Sequence, residues 1–273
     1  MTTRDLAVFQ KTLREKSGII LRDHKRALVE SRVNRRLEPL GINSYPEYLD
    51  FLQRDESGQE LVQLIDAIST NVTRFFREDD HFEFLDKVVR EWAAEGRKNL
   101  RFWSAGCSSG EEPYTLAMTL QPHMAANDLD LKILATDINT KVLTHARTGC
   151  FSEDRISSVP DELRSRFFTR DSATEDNQFE ASEELKRMIM FHRLNLNVLP
   201  YPIKGSFDVI MCRNTMIYFD RPLRTRIIDE FARLLKPGGY LLIGHAETLI
   251  GIETGYRTIR PSVYQRKCIG DDS

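Results

Sequence analysis

Cysteine is scarce in this chain. The four present, Cys107, Cys150, Cys212 and Cys268, are spread over 273 residues with no short paired spacing. That excludes a disulfide frame and a cysteine-rich zinc site, and fits reduced thiols in a cytosolic protein. Long apolar runs are missing too, and the opening Met1-Thr-Thr-Arg-Asp5 has no signal-peptide core, so neither a membrane span nor a leader is expected. Neither sign of charge dominates. With 39 Lys and Arg against 41 Asp and Glu, a general nucleic-acid binder is excluded, and only a local basic patch remains open. There is no internal repeat and no low-complexity tract. A full Gly-x-Gly-x-x-Gly is absent, which argues against a nicotinamide dehydrogenase. The length suits one large domain or two smaller ones.

Residues 1 to about 70 read as helical throughout. Leu6, Phe9, Leu13 and, after a break at Ser17-Gly18, Ile19 and Ile20 open an apolar pattern, and Leu28, Val29, Val33, Leu37 and Leu40 continue it at helical spacing until Gly41. Ser44-Tyr-Pro-Glu47 looks like a cap before a further helix. Leu61, Leu64, Ile65 and Ile68 form another stripe. One face of the second helix is basic, with Arg22, Lys25, Arg26, Arg32, Arg35 and Arg36 against Asp23 and Glu30. Such a run is either a solvated helix face or a docking face for an acidic partner. Asn71-Val-Thr-Arg-Phe-Phe-Arg77 follows at the junction. Phe75 and Phe76 suit core anchors, while Arg77 offers a planar fork suited to a carboxylate.

The rest alternates strand and helix, which implies an α/β fold with a doubly wound, mostly parallel sheet. Its organising stretch is Arg101-Phe-Trp-Ser-Ala-Gly-Cys-Ser-Ser-Gly-Glu-Glu-Pro-Tyr114: a strand, a small-residue loop, then a helix. The loop lets a ligand approach the backbone. Ser108 or Ser109 suits the N-cap, and the helix is expected over 113–121, closed by Pro122. Glu111 and Glu112 crowd the helix end where a phosphate would sit, which favours a cationic or hydroxyl-bearing ligand. The second strand, 131–137, ends at Asp137. That acid is placed either to grip a nucleoside ribose or to cap the following helix.

Residues 147–187 interrupt the rhythm and read as an inserted subdomain, with a helix near 160–168 and strands near 177–182. Strands return at 188–194 and 207–212, with a helix over 221–235. Lys236-Pro-Gly-Gly239 reads as a turn into a strand at 240–244, and 263–267 as a last edge strand. Gly106, Glu112, Asp137, Asn195, Arg213 and Asn214 thus fall at successive strand ends, which converge on one crevice in such a sheet. Acids, amides and small residues there fit a nucleoside ligand.

The sequence as a whole resembles a class I, Rossmann-like S-adenosylmethionine methyltransferase, and more narrowly the CheR family of chemotaxis receptor methyltransferases. The residues behind this are Asn-x-Thr-x-Phe-Phe-Arg at 71–77, Trp-Ser-Ala-Gly-Cys-Ser-Ser-Gly-Glu-Glu-Pro-Tyr at 103–114 and Ala-Thr-Asp-Ile at 135–138. Phe-Asp-Val-Ile-Met-Cys-Arg-Asn-Thr-Met-Ile-Tyr-Phe-Asp at 207–220, Leu-Lys-Pro-Gly-Gly-Tyr-Leu at 235–241 and Gly-His-Ala-Glu at 244–247 complete it.

The resemblance implies an all-α N-terminal domain over 1–72 and a methyltransferase domain over 73–273 with a small inserted β-subdomain. It implies that Asn71, Thr73 and Arg77 line the cofactor and reaction centre. Glu112 would contact the methionine end or the ribose side of S-adenosylmethionine, and Asp137 the ribose. Asn195 and Leu196 would surround the adenine, and Arg213 and Asn214 the next strand end. Tyr218 would stand near the transferred methyl. No metal is implied, and His192 and His245 are read as structural.

The activity implied is protein-glutamate O-methylation on the cytoplasmic helices of transmembrane chemoreceptors, by a cytoplasmic enzyme recruited to receptor arrays at the inner membrane. The basic helix would then dock the receptor, and the subdomain would in some members grip a receptor's C-terminal tether. Relatives with that trait carry glycines in its loop, whereas residues 171–178 have none. Val72 stands where many relatives have threonine. Competing readings are a methyltransferase of RNA or a small molecule, and a non-catalytic, cofactor-sensing adaptor. Against the first, the Asn-Pro-Pro-Tyr of amino-group methyltransferases is absent and Cys212 lacks the preceding proline of cytosine-C5 enzymes.

Overall fold

The computed structural model describes residues 1–170, 178–250 and 255–268. Four helices come first: α1 (Thr3–Ser17), α2 (Arg26–Leu40), α3 (Tyr45–Arg54) and α4 (Gln59–Ile68). Thr2 and Ser44 cap α1 and α3 through their hydroxyls, and Gly18 and Gly41 end α1 and α2 in the left-handed conformation. Leu6, Phe9, Leu13, Val29, Val33, Leu37, Tyr48, Leu64 and Ile65 are buried together as their own core. A buried Glu60 fastens this bundle. It accepts two bonds from Arg36, at 2.9 and 2.7 Å, and one from the Tyr48 hydroxyl at 2.6 Å.

The remaining elements are α5 (Asp80–Ala94), β1 (Asn99–Ala105), α6 (Glu111–Asn127), β2 (Asp130–Asp137) and α7 (Thr140–Thr148). Then come β3 (Cys150–Ser152), α8 (Glu153–Ile156), α9 (Asp161–Phe167), β4 (Phe168–Arg170), β5 (Gln178–Ala181) and α10 (Glu183–Lys186). Last are β6 (Ile189–Arg193), β7 (Phe207–Cys212), α11 (Arg221–Leu234), β8 (Leu235–Ile243), β9 (Tyr256–Arg260) and β10 (Val263–Arg266). Among the described residues one sheet has the order β6-β2-β1-β7-β8-β10-β9. It is parallel from β6 to β8, while β10 runs antiparallel to both β8 and β9. The strand order reverses between β1 and β7, which places a ligand crevice at the carboxyl ends of those strands. Two cores cover the two faces of the sheet. One centres on Phe102, Tyr114, Leu116 and Phe151, the other on Trp103, Phe231, Ile227 and Leu241. The insertion forms a small antiparallel sheet, β3-β5-β4. The loop whose lack of glycine bears on tether binding lies, at 171–177, outside the described residues.

Several local expectations need correction. Gly110, at φ +103°, caps α6 in place of Ser108 or Ser109. Both serines are spent elsewhere: Ser109 donates to Glu111 Oε2 at 2.8 Å, and Ser108 donates its hydroxyl to Asn71 O at 3.1 Å. Helix α6 runs through Pro122 to Asn127. The ring removes one N–H but accepts a helical φ. The turn beyond it is anchored on α5, where His123 Nε2 lies 2.6 Å from Asp86 Oδ1, while Met124 packs on the core. Lys236–Gly239 belongs to β8 and is not a turn. A register shift there lets Lys236 Nζ reach both oxygens of the buried Asp208 at 2.9 Å. Finally, β10 is not the edge strand. The edge is β9, whose Tyr256-Arg-Thr-Ile-Arg260 shows weak alternation in the sequence.

Candidate active site

The carboxyl ends of β1, β2 and β7 open into a cavity of about 230 Å3. Asn71, Thr73, Arg77, Gly106, Glu112, Asp137, Asn195, Leu196, Arg213, Asn214 and Tyr218 all line it. So do residues that motif reading left out: Ile19, Ile20, Leu21 and Leu28 from the helical domain, and Phe82 and Thr215 from the sheet domain. The helical domain is therefore a wall of the cavity. Ile19, Ile20 and Leu21 between α1 and α2, and Leu28 on α2, carry no motif of their own, so only tertiary placement reveals them at the cavity.

Two seams hold that wall. At one, Asn195 Nδ2 donates to Lys16 O at 2.7 Å, Asn197 Nδ2 to Glu15 O at 2.9 Å and the Ile20 N–H to Tyr218 O at 2.9 Å. Asn195 thus spends its amide on the seam while lining the cavity. At the other, Asp66 accepts from the Thr140 N–H at 2.8 Å and its hydroxyl at 2.5 Å, and Asn139 Nδ2 donates to Ser69 Oγ at 2.7 Å.

The Asp137 carboxylate lies at the floor. It accepts the Ser108 N–H on one oxygen and the Asn139 N–H on the other, each at 2.9 Å. Capping of α7 falls to Asn139, which accepts from the N–H groups of Lys141 and Val142. Burial raises the Asp137 pKa, with the backbone donors opposing it. Gly106 sits at φ +89°. A Cβ there would stand 2.3 Å from Thr215 Oγ1, so this glycine lets the β7 turn close on the β1 loop.

Beside it lies a buried charge cluster. Arg213, its side chain only 2% exposed, reaches Glu78 Oε2 at 3.1 Å and Glu112 Oε2 at 3.4 Å, and also donates to Arg77 O. Its guanidinium lies 5.3 Å from the Phe82 ring centre. Burial by itself would raise the Glu78 pKa. The Arg213 charge and donors from Asn214, Arg213 and the His245 N–H outweigh it and hold that carboxyl below its ordinary value. Burial raises Glu112 instead, against the pull of Arg213 and a 2.6 Å bond from the Ser104 hydroxyl. Glu78, His81 and His245 bring one ligand atom each within 4.8 Å of one another, but Arg213 already occupies the cationic position beside Glu78. Burial, followed by the Arg213 charge, pushes His81 down to about 4, so it is neutral at pH 7.

Arg77 is gripped on both sides. Phe76 and Glu78 have φ near +53° and +54°, a conformation that costs free energy for residues with a Cβ. The Phe76 N–H is fixed by Thr115 Oγ1 at 3.2 Å, and Arg77 Nη1 donates to Val72 O at 3.1 Å. Phe75 is buried in the insertion, with ring centres 4.9 Å from Phe151 and 5.7 Å from Phe168. Val72 is 80% exposed at the cavity wall.

The basic face does not stay together. Arg22 and Lys25 precede α2, and Lys25 lines the cavity. Arg26 pairs with Glu30, Arg32 donates to Ala67 O at 2.6 Å, and Arg36 holds Glu60. Arg32 and Arg36 thus fasten α2 to α4 and Arg26 is paired along α2 itself, whereas Arg22, Lys25 and Arg35 are exposed.

The donor set suits a sulfonium-bearing nucleoside: an acid at the β2 end for vicinal hydroxyls, apolar Ile138, Leu194 and Leu196 for a flat ring, and the Glu112 carboxyl for a cationic group. Comparison with known proteins agrees. The family model described as CheR methyltransferase, SAM binding domain matches residues 71–264, and the one described as CheR methyltransferase, all-alpha domain matches 4–69. A chemotaxis protein methyltransferase of Borreliella burgdorferi is 40% identical, with 97% of this chain and 95% of that protein covered. Chemotaxis protein methyltransferase 2 of Pseudomonas aeruginosa is 38% identical over 96% and 93%. The chemotaxis protein methyltransferase of Escherichia coli is 36% identical over 92% and 86%. The chain belongs to the CheR family of S-adenosylmethionine-dependent methyltransferases.

Proposed function

We propose that the chain methylates glutamate side chains on the cytoplasmic helices of transmembrane chemoreceptors, forming glutamyl methyl esters for chemotactic adaptation. The observation that carries this reading is a cavity between two domains that gathers Arg77, Tyr218, Glu112 and Asp137. Bound S-adenosylmethionine supplies a methyl on a sulfonium, and its sulfur leaves as a neutral thioether when a carboxylate oxygen takes that methyl.

A glutamate, with a pKa of about 4.3, is already anionic at neutral pH, so no strong general base is needed. What the chain supplies is alignment and exclusion of water. Arg77 orients the acceptor carboxylate, and Tyr218 donates a hydrogen bond to it. Arg77 positions without activating, because a tight ion pair would lower the carboxylate's nucleophilicity. Asp137 holds the ribose hydroxyls, and Glu112 faces the cationic end of the cofactor. Asn71, Thr73, Gly106, Asn195, Leu196, Arg213 and Asn214 complete the cofactor's surroundings.

Residues 1–72 carry the receptor-docking face and, with Asn71 and the apolar residues from Ile19 to Leu28, one wall of the cavity, while 73–273 supply the rest of the cofactor's surroundings. Docking uses the exposed cations Arg22, Lys25 and Arg35 against an acidic helical bundle, with the inserted subdomain available for a receptor tether. No described helix is long and apolar enough to cross a membrane, and a cytoplasmic enzyme recruited to receptor arrays at the inner membrane fits the reading. The test is incubation of receptor-containing membranes with methyl-labelled cofactor. Label should enter the receptor and be released by mild base, as expected of a glutamyl ester. Base-stable label would favour methylation of RNA or a small molecule, and cofactor binding without any transfer would favour an adaptor.

A further inference from the structure

The geometry points to Glu247 as a positioning residue that holds the Tyr218 turn in register for methyl transfer. This rests on the reaction proposed above. Glu247 Oε2 accepts the Asn214 N–H at 2.9 Å and the Gly244 N–H at 2.7 Å, and Oε1 accepts the Ile217 N–H at 3.1 Å. The Met216 N–H also points at this carboxylate. One largely buried carboxyl thus ties the end of β8 to three N–H groups of the turn between β7 and Tyr218.

Two further observations show that the turn needs such a clamp. Asn214 is held at φ +56°, a left-handed conformation for a residue with a side chain. Gly244 lies so close that a Cβ on it would come 2.8 Å from Asn214 N and 2.5 Å from Asn214 Nδ2. Gly244 and Glu247 therefore act as a unit, the glycine leaving room for the turn and the carboxylate accepting its N–H groups. The same turn meets the β1 loop at Gly106 through Thr215, and its Tyr218 carbonyl accepts the Ile20 N–H from the helical domain. A shift of the turn would move the Tyr218 phenol relative to the acceptor carboxylate without removing any group that touches it.

The test compares wild type, Glu247→Gln, Tyr218→Phe and the double variant for kcat on receptor membranes, affinity for S-adenosylhomocysteine and thermal stability. Misplacement of the reacting groups by about 1 Å costs on the order of 100-fold in rate, so Glu247→Gln should lose about that in kcat. Cofactor affinity should change by less than about tenfold, since kcat carries the alignment. Because Glu247 acts through Tyr218, Tyr218→Phe should cost far less in the Glu247→Gln background than in wild type. Glu247→Asp, which keeps the charge with a shorter reach, should fall between the two and provides the reading if the glutamine variant does not fold. Equal costs of Tyr218→Phe in both backgrounds, or a lowered melting temperature with kcat unchanged, would overturn the positioning role. Absence of transfer by the wild-type chain itself would instead overturn the glutamyl reading.

Discussion

At the scale of single residues, the site depends on buried carboxylates that differ in what stabilises them. Asp137 combines burial with two backbone donors, so it is fixed in place yet keeps lone pairs for a ligand's hydroxyls. Asp137→Ala should weaken binding of S-adenosylhomocysteine by about 1–3 kcal/mol, the cost of leaving polar partners unmet. Calorimetry gives the number directly. Arg213 presents the opposite case, a cation between two acids. Removing it leaves Glu78 and Glu112 facing each other, and Arg213→Met should destabilise the fold by about 3–5 kcal/mol at neutral pH.

Glu78, held below its ordinary pKa in the wild type, contributes stability that is lost as pH falls through its folded value. Without Arg213 that depression goes, and both acids bind protons more tightly folded than unfolded. The variant's deficit should therefore shrink on acidification, measured by denaturant titration between neutral pH and the carboxylate range. Motif reading found Asp137, Glu112 and Arg213 because each ends a strand or opens a helix. It passed over Glu78 because an acid after Arg77 in the sequence says nothing of the guanidinium that folding brings to it from 135 residues away.

At the scale of elements, strand–helix alternation marked β1, β2, β6, β7 and the helices α6 and α11 through their apolar spacing, whereas the four-residue helices α8 and α10 are too short to leave a period. Punctuation by proline and glycine misled where tertiary contacts overruled it. Pro122 is carried inside α6 by contacts with α5, and Lys236–Gly239 is drawn into β8 by the buried Asp208. Edge strand β9 was not legible, since only Tyr256 is buried in it and three consecutive residues are exposed.

The insertion has a consequence at this scale. Its core is continuous with the motif that carries Arg77, because Phe75 stands between Phe151 and Phe168. Phe151→Ala should cost about 3–5 kcal/mol in stability. It should also lower kcat more than cofactor affinity, because Arg77 is two residues from the disturbed ring. Phe51→Ala, at a 40% exposed position, should stay within about 0.5 kcal/mol of wild type. Denaturation midpoints and steady-state kinetics on the two variants separate these outcomes.

At the scale of the whole molecule, a helical domain with its own core and a sheet domain with a core on each face share one cavity. The helical bundle closes over its own apolar side chains, yet Ile19, Ile20, Leu21 and Leu28 also line the cavity between the domains. The sequence announced two domains but not that one is a wall of the other's site, because the seam is made of amides and main-chain carbonyls that leave no periodic trace. A ligand in that cavity binds only when both domains are folded and joined. At a hundredfold excess over its Kd it should therefore stabilise the native chain by about 2.7 kcal/mol. The stabilisation should appear in both domains. Hydrogen exchange in the presence of S-adenosylhomocysteine should slow at the Ile20 amide, whose acceptor is Tyr218 O, and at the Ser108 and Asn139 amides held by Asp137. Amides of α3, which makes none of the seam's hydrogen bonds described above, should slow only through global unfolding. Protection confined to the sheet domain would mean that the bundle opens without releasing the ligand, and the shared wall would then contribute nothing to binding.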